Sequence, residues 1–225
     1  MGDGRTARAG RPPVTSRTAL ERASLALFTS RGFDATTVED IAASAGIGRR
    51  TFFRYFASKN DVLWGDFTAG LAQMADWLAA TPYDQPVFQA LTEVVVRFNA
   101  LSPGSAPAHR QRMALILRVP TLQAHSTLRY AEWRAVVARF AAERLALAEH
   151  DPLPQLIGHA ALAGAVSAYE QWLDQPASDL SDLLHSSFGH LGRGLDHLAQ
   201  PAGPRHPRVA GEKLSLAKNE DVHLS

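Results

Sequence analysis

The sequence predicts an all-α chain, a short three-helix unit at the N-terminus followed by a longer helical body. Apolar residues recur three and four apart along most of its length, and no stretch alternates with the period of two that a half-buried strand needs. Pro82, Pro86, Pro103, Pro107, Pro120, Pro152, Pro154 and Pro176 fall between those periodic segments or at their first turns, where a missing N–H is not felt. Charge is also divided along the chain: residues 1–60 carry ten Lys or Arg against five Asp or Glu, residues 61–200 nine against fourteen. A basic head on an acidic body suits a head that meets a polyanion, although solvated charge alone gives the same count.

The elements follow in order. Residues 1–14 combine Gly2, Gly4, Gly10, Pro12 and Pro13 with Arg5, Arg8 and Arg11, the composition of a flexible basic arm. Over 16–31, Leu20, Ala23, Leu27 and Phe28 share one helical face; Gly32 stops the helix and Phe33 folds back onto it. Thr36 with Glu39 reads as a capping box opening a second helix, whose buried face is Val38, Ile41, Ala42 and Ala45. Gly46 ends that helix, and a third begins almost at once over 49–56 with Gly48 at its N-cap. Two short helices joined by a tight turn containing Gly form a helix-turn-helix. Ser58 is expected to cap a fourth helix, and helical segments run near 58–79, 86–101, 107–118, 122–149, 154–174 and 179–198. From Pro201 the chain turns rich in Pro, Gly and charge and is expected to be disordered. The expected division is an arm over 1–14, a helix-turn-helix domain over 15–60, a helical body over 61–200 and a tail over 201–225.

Composition narrows the function classes. Hydrophobic residues at 46% and charged residues at 20% describe a globular protein with a core. The absence of cysteine excludes disulfides and thiolate metal sites. No apolar run approaches the ~18 residues of a membrane span, and residues 15–22 interrupt any secretory apolar region, so a cytoplasmic protein without a membrane partner is expected. Nine histidines invite a metal or catalytic reading. His185, His190 and His197 lack zinc-ligand spacing, and neither HExxH nor G-x-S-x-G occurs, so neither a metal site nor an enzyme is expected.

The stretch 36–63, TTVEDIAASAGIGRRTFFRYFASKNDVL, carries the chemistry. On the third helix Phe52 and Phe56 share a face and, with Ile47, would pack inward. Arg49, Arg50, Phe53 and Arg54 then face outward. Three arginines and an exposed ring suit a helix lying in a DNA major groove, because Arg donates bidentately to guanine O6 and N7 and a ring edge meets a thymine methyl. Thr51, Tyr55 and Lys59 lie towards the phosphates, where contacts position without reading sequence. A helical hairpin with a solvated basic face is the plainer alternative.

Residues 18–63 resemble the DNA-binding domain of the TetR family. The marks are RGF after the first helix, TTVEDIA on the second, AGIG in the turn, TFFRYF on the third and SK after it. The resemblance implies an all-α fold, with an N-terminal three-helix helix-turn-helix domain and a C-terminal helical domain for ligand binding and dimerisation. It implies a sequence-specific regulator, released from a palindromic operator in double-stranded DNA by a small molecule. It also implies phosphate contacts from Thr37, Tyr55 and Lys59, and a groove face of Gly48, Arg49, Arg50, Thr51, Phe53 and Arg54. Gly48 stands where Ser is frequent and Arg50 where a small residue is common. More narrowly, GRRTFFRYF followed by SKNDVLWGDF resembles the TetR subgroup encoded beside mycofactocin biosynthesis genes in actinobacteria. That resemblance implies a long-chain acyl-CoA as effector and no other cofactor.

In the family the last two helices form the dimer interface, here 154–174, rich in small residues from Ala160 to Ala168, and 179–198, striped with Leu180, Leu184, Phe188, Leu191, Leu195 and Leu198. An intramolecular core is the alternative for both. Large apolar residues spread over the body, Trp64, Phe67, Met74, Trp77, Phe98, Met113, Leu117, Trp133 and Trp172, with Phe88 and Tyr130, are candidates for a cavity lining or for ordinary core. Arg110, Arg112 and Arg118, beside His109, are candidates to hold an anionic head group.

Overall fold

The computed structural model describes residues 16–195, and all its regular elements are helical. The expected arm over 1–14, the tail over 201–225 and the end of the last expected helix beyond 195 lie outside the described residues. Helix α1 (Arg17–Arg31) starts on Ser16, whose hydroxyl accepts from the Ala19 N–H, and stops at Gly32, whose N–H bonds back to Phe28. Helix α2 (Val38–Ser44) has its capping box one residue later than expected. Thr37 is the N-cap and Asp40 its partner, because Thr36 is buried and its hydroxyl donates to the Gly32 carbonyl instead. Gly46 turns the chain at φ +66°, a region costly to any side chain, and lets α3 (Arg49–Tyr55) start within a few residues. Gly48 is its N-cap without a side-chain bond.

The single helix expected over 58–79 is broken. A 3₁₀ turn spans Asn60–Trp64, Gly65 reverses the backbone at φ +57°, and α4 (Phe67–Ala79) restarts on an Asp66 cap. Ser58 does not cap a backbone amide; its hydroxyl donates to Asp61. Then follow α5 (Val87–Phe98), α6 (Ala106–Arg118), α7 (Pro120–Leu145), α8 (Pro152–Asp174) and α9 (Leu180–Leu195). Three of these begin on or beside a proline in the first turn, as the missing N–H permits.

Two cores form. Phe28, Phe33, Ile41, Phe52 and Phe56 close the N-terminal one, but Ile116 of α6 and Leu122 of α7 belong to the same cluster. The N-terminal domain is therefore completed by the body. The larger core joins α4, α5, α7, α8 and α9, and Met113 of α6 packs against both. Helix α6 thus straddles the two cores. The stripe Leu180, Leu184 and Phe188 on α9 is at most 4% exposed within one chain, so it belongs to this core.

Candidate functional site

Helix α3 presents the expected two faces. Phe52 is fully buried and Phe56 nearly so, while Arg49, Arg50, Phe53 and Arg54 are exposed, Phe53 at 42%. Thr51 and Tyr55 are half-buried at the edge. Arg49 is held at rest by Glu39 of α2 at 2.9 Å and lies 5.4 Å from the Phe53 ring centroid, and Arg54 lies over Tyr55. Arg50 has no such restraint among the described residues.

Two expected phosphate contacts have other work. The Lys59 ammonium donates to the carbonyls of Phe33 and Thr36, both at 2.9 Å, and sits 4.4 Å over the Phe33 ring. It pins the α1–α2 connection, leaving one N–H for any phosphate. The Thr37 hydroxyl donates to Asp40 at 2.6 Å. That bond is the largest cause holding the Asp40 carboxyl below its usual range, followed by the Thr37 backbone N–H.

The C-terminal end of α3 is tied to the body. Arg17 donates to the carbonyls of Tyr55 at 3.1 Å and Gly65 at 2.8 Å, and stacks on Phe56. Asp61, 14% exposed, receives hydrogen bonds from Ser58 at 2.7 Å and Arg129 at 3.0 Å and lies 3.1 Å from His125; both latter residues are on α7. Burial works against its ionisation, but these bonds outweigh it and hold the carboxyl low. Sequence reasoning missed this latch because its α7 members lie more than sixty residues from Asp61.

A cavity of about 460 Å³ lies between α1, the 3₁₀ turn, α4, α6, α7 and α8. Of the expected lining residues it gathers Trp64, Phe67, Phe98, Arg112, Met113, Leu117 and Trp133, together with Tyr130. It leaves out five. Met74 is fully buried core, as is Trp172 at 3% exposure, and Phe88 likewise packs in the core. Trp77 lies under Arg97. Arg110 stacks on Trp172 at 3.9 Å and donates to its carbonyl, and Arg118 pairs with Asp174 at 2.5 Å. The expected arginine cluster is therefore split: two of the three fasten α6 to the end of α8, and Arg112 alone faces the cavity.

Four polar lining residues carried no clear sequence signal, Glu21, Asp66, Asn99 and Tyr169, and His109 was read only as a neighbour of the arginines. Tyr169 donates to Asn99 at 2.7 Å, and His109 Nε2 lies 2.9 Å from the same hydroxyl. With that proton committed to Asn99, neutral His109 donates from Nε2. Burial, then repulsion by Arg112, lowers His109 to about 4, and burial raises Tyr169 well above the usual phenol. A polar residue on an apolar helical face, as Tyr169 is among the alanines of α8, was the available sign. Among the described residues no group of His, Asp and Glu is arranged to hold a metal, and no helix is long and apolar enough to cross a membrane.

Residues 21–63 match the family model for bacterial regulatory proteins of the tetR family, and residues 85–196 that of the MftR C-terminal domain. The chain is 40% identical over 193 residues to a Mycobacterium tuberculosis protein named as the mycofactocin biosynthesis transcriptional regulator MftR, covering 86% of this chain and 98% of that one. Among solved structures, it resembles SmeT, the repressor of the Stenotrophomonas maltophilia multidrug efflux pump SmeDEF, with a TM-score of 0.57 and 19% identity over 91% of this chain and 100% of that one. It also resembles Thermus thermophilus FadR, a repressor crystallised with lauroyl-CoA, with a TM-score of 0.51 and 20% identity over 88% and 100%. At such identities the two structures speak for the fold. The relationship to the mycobacterial regulator spans both the reading helices and the cavity-bearing body, and with the matched family models it places the chain in the TetR family, as a DNA-binding regulator of transcription.

Proposed function

We propose that the protein is a homodimeric repressor that binds a palindromic operator and is released by a small molecule held in the cavity. The observation that carries this reading is the cavity's position. Its wall includes Glu21 of the N-terminal domain and Trp64 and Gly65 of the segment joining the two parts, so an occupant touches the element that aims α3. The dimer uses the outer faces of α8 and α9, and two α3 helices then meet half-sites about 34–36 Å apart. An occupant that favours a different spacing lowers affinity, provided it binds the two states unequally.

A long-chain acyl-CoA is the proposed effector class. The largely apolar lining accepts an acyl chain, and the fold-mate FadR was crystallised with lauroyl-CoA. The protein acts as a cytoplasmic regulator and not as an enzyme, and it needs no cofactor beyond the effector.

Selection from a random duplex library at about 150 mM salt, where phosphate-driven binding is weakened, tests the reading. A palindromic consensus, with complexes of two chains per site, is the expected result. Binding without sequence preference would point to an architectural DNA-binding protein instead.

A further inference from the structure

Two residues of the cavity wall each carry a buried donor with no acceptor among the described residues. Trp64 Nε1 and Arg112 Nε are both shielded and unpartnered, and both residues line the cavity. A buried unpaired donor is costly, and the hydroxyl of Tyr169 and the ring of His109 are already engaged with each other and with Asn99. Among the described residues Arg112 has no hydrogen bond or ion pair, and an anionic occupant of the cavity it lines would give its guanidinium one. The negative charge facing this end belongs to Glu21, whose side chain is 16% exposed and whose Oε1 lies 3.5 Å from Arg17. An added Cβ at Gly65 would stand 3.5 Å from that same Oε1, so the carboxylate rests against the joining segment. Burial raises Glu21, and Arg112 is the strongest of the charges that oppose this. Asp66, also in the lining, adds to the negative side. Arg17, the other partner of Glu21, donates to the last carbonyl of α3 and to Gly65.

We propose that Arg112 anchors the anionic head of an apolar-chain ligand, and that this head replaces Glu21 as the counter-charge of Arg112. The inference rests on the cavity being the effector site and adds its chemistry and its coupling. Before binding, attraction between Glu21 and Arg112 holds α1 to α6. A bound anion neutralises Arg112 and repels Glu21. The carboxylate then moves with α1, and Arg17 carries the displacement to the end of α3. The anion is either a carboxylate on the chain or a phosphate of a CoA thioester, the two sources sharing one requirement.

Trp64 and Trp133 in the wall give the readout. Quenching of intrinsic fluorescence by decanoate, decanoyl-CoA and decanol measures binding, and anisotropy of the labelled selected operator measures release. One charge-assisted hydrogen bond sets the scale, so decanoate or decanoyl-CoA binds about tenfold or more tighter than decanol. Arg112→Met abolishes that preference while decanol affinity holds, and Arg112→Lys, which keeps the charge, restores part of it. Glu21→Gln binds the anion at least as tightly but releases DNA less at equal occupancy. Whichever of decanoate and decanoyl-CoA shows the Arg112-dependent preference identifies the source. The proposal is overturned if decanol binds as well as both anions, if Arg112→Met keeps the preference, if none of the three probes binds, or if Glu21→Gln releases DNA like the parent chain. Failure to select any operator would sink the repressor reading instead, and the fluorescence arm would still judge the anchor.

Discussion

Arg50 and Lys59 show how two cations in one motif acquire different roles. Arg50 is exposed at the start of α3 and bound to nothing among the described residues, so its guanidinium is free to fork onto a base. Arg50→Ala should cost about 1–3 kcal/mol on the selected site and relax base preference at one position; titration against single-base variants of the operator checks both effects. Lys59 spends two donors on the Phe33 and Thr36 carbonyls. Lys59→Met should therefore destabilise the protein by about 1–3 kcal/mol, the cost of stranding part-buried acceptors. It should weaken DNA binding without altering which sequence is preferred. A Lys59→Met chain that melts like the parent and loses only DNA affinity would instead make Lys59 a simple phosphate contact. Arg49 stands between these cases, since it must leave Glu39 before it reads a base.

At the level of elements, the broken connection after α3 matters most. Gly65 admits a backbone turn that a continuous helix would forbid, and the 3₁₀ turn before it offers Asp61 to α7. Ser58, His125 and Arg129 then fix the angle at which the N-terminal domain leaves the body. Asp61→Asn should lower stability by about 1–3 kcal/mol and weaken operator binding through lost orientation. The pH dependence has a definite sign. The folded carboxyl titrates below its usual 3.8, so its contribution is full above that value and is lost as the pH falls through the lower folded value. Urea unfolding of both chains over acidic pH should show the difference between them closing in that range; a constant difference would mean that the Asp61 charge contributes nothing.

On the scale of the whole molecule, α6 is the shared wall. It supplies Ile116 to the N-terminal core, Met113 to both cores, and His109, Arg112 and Met113 to the cavity. Motion of α6 is therefore felt on both sides, the property a sensing regulator needs. Burial of His109 gives the fold an acid sensitivity. Its pKa falls from 6.5 to about 4 on folding, so the neutral form is favoured in the native state. Stability is full above 6.5 and declines as the pH drops towards 4, because the unfolded chain takes up the proton first. His109→Gln should flatten that decline, as read by the slope of unfolding free energy against pH. An unchanged slope would place the titration elsewhere.

The sequence by itself determined the all-α class, the helix-turn-helix and the identity of its exposed face. These follow from contacts within a few residues: apolar spacing, glycine stops and prolines at first turns. Even so, the α2 capping box lay one residue later than read, since tertiary burial of Thr36 left Thr37 to cap. Most of the aromatic lining was legible as large apolar side chains. Which of them surround a cavity and which fill the core was not, because spacing along one helix does not say which other helix faces it. Only the tertiary structure decided that Arg110 and Arg118 fasten α6 to α8 while Arg112 and Glu21 both line the cavity. Only it decided that Asp61 is held by α7. Charge pairing over such separations depends on where packing brings the helices, and local sequence carries no record of that.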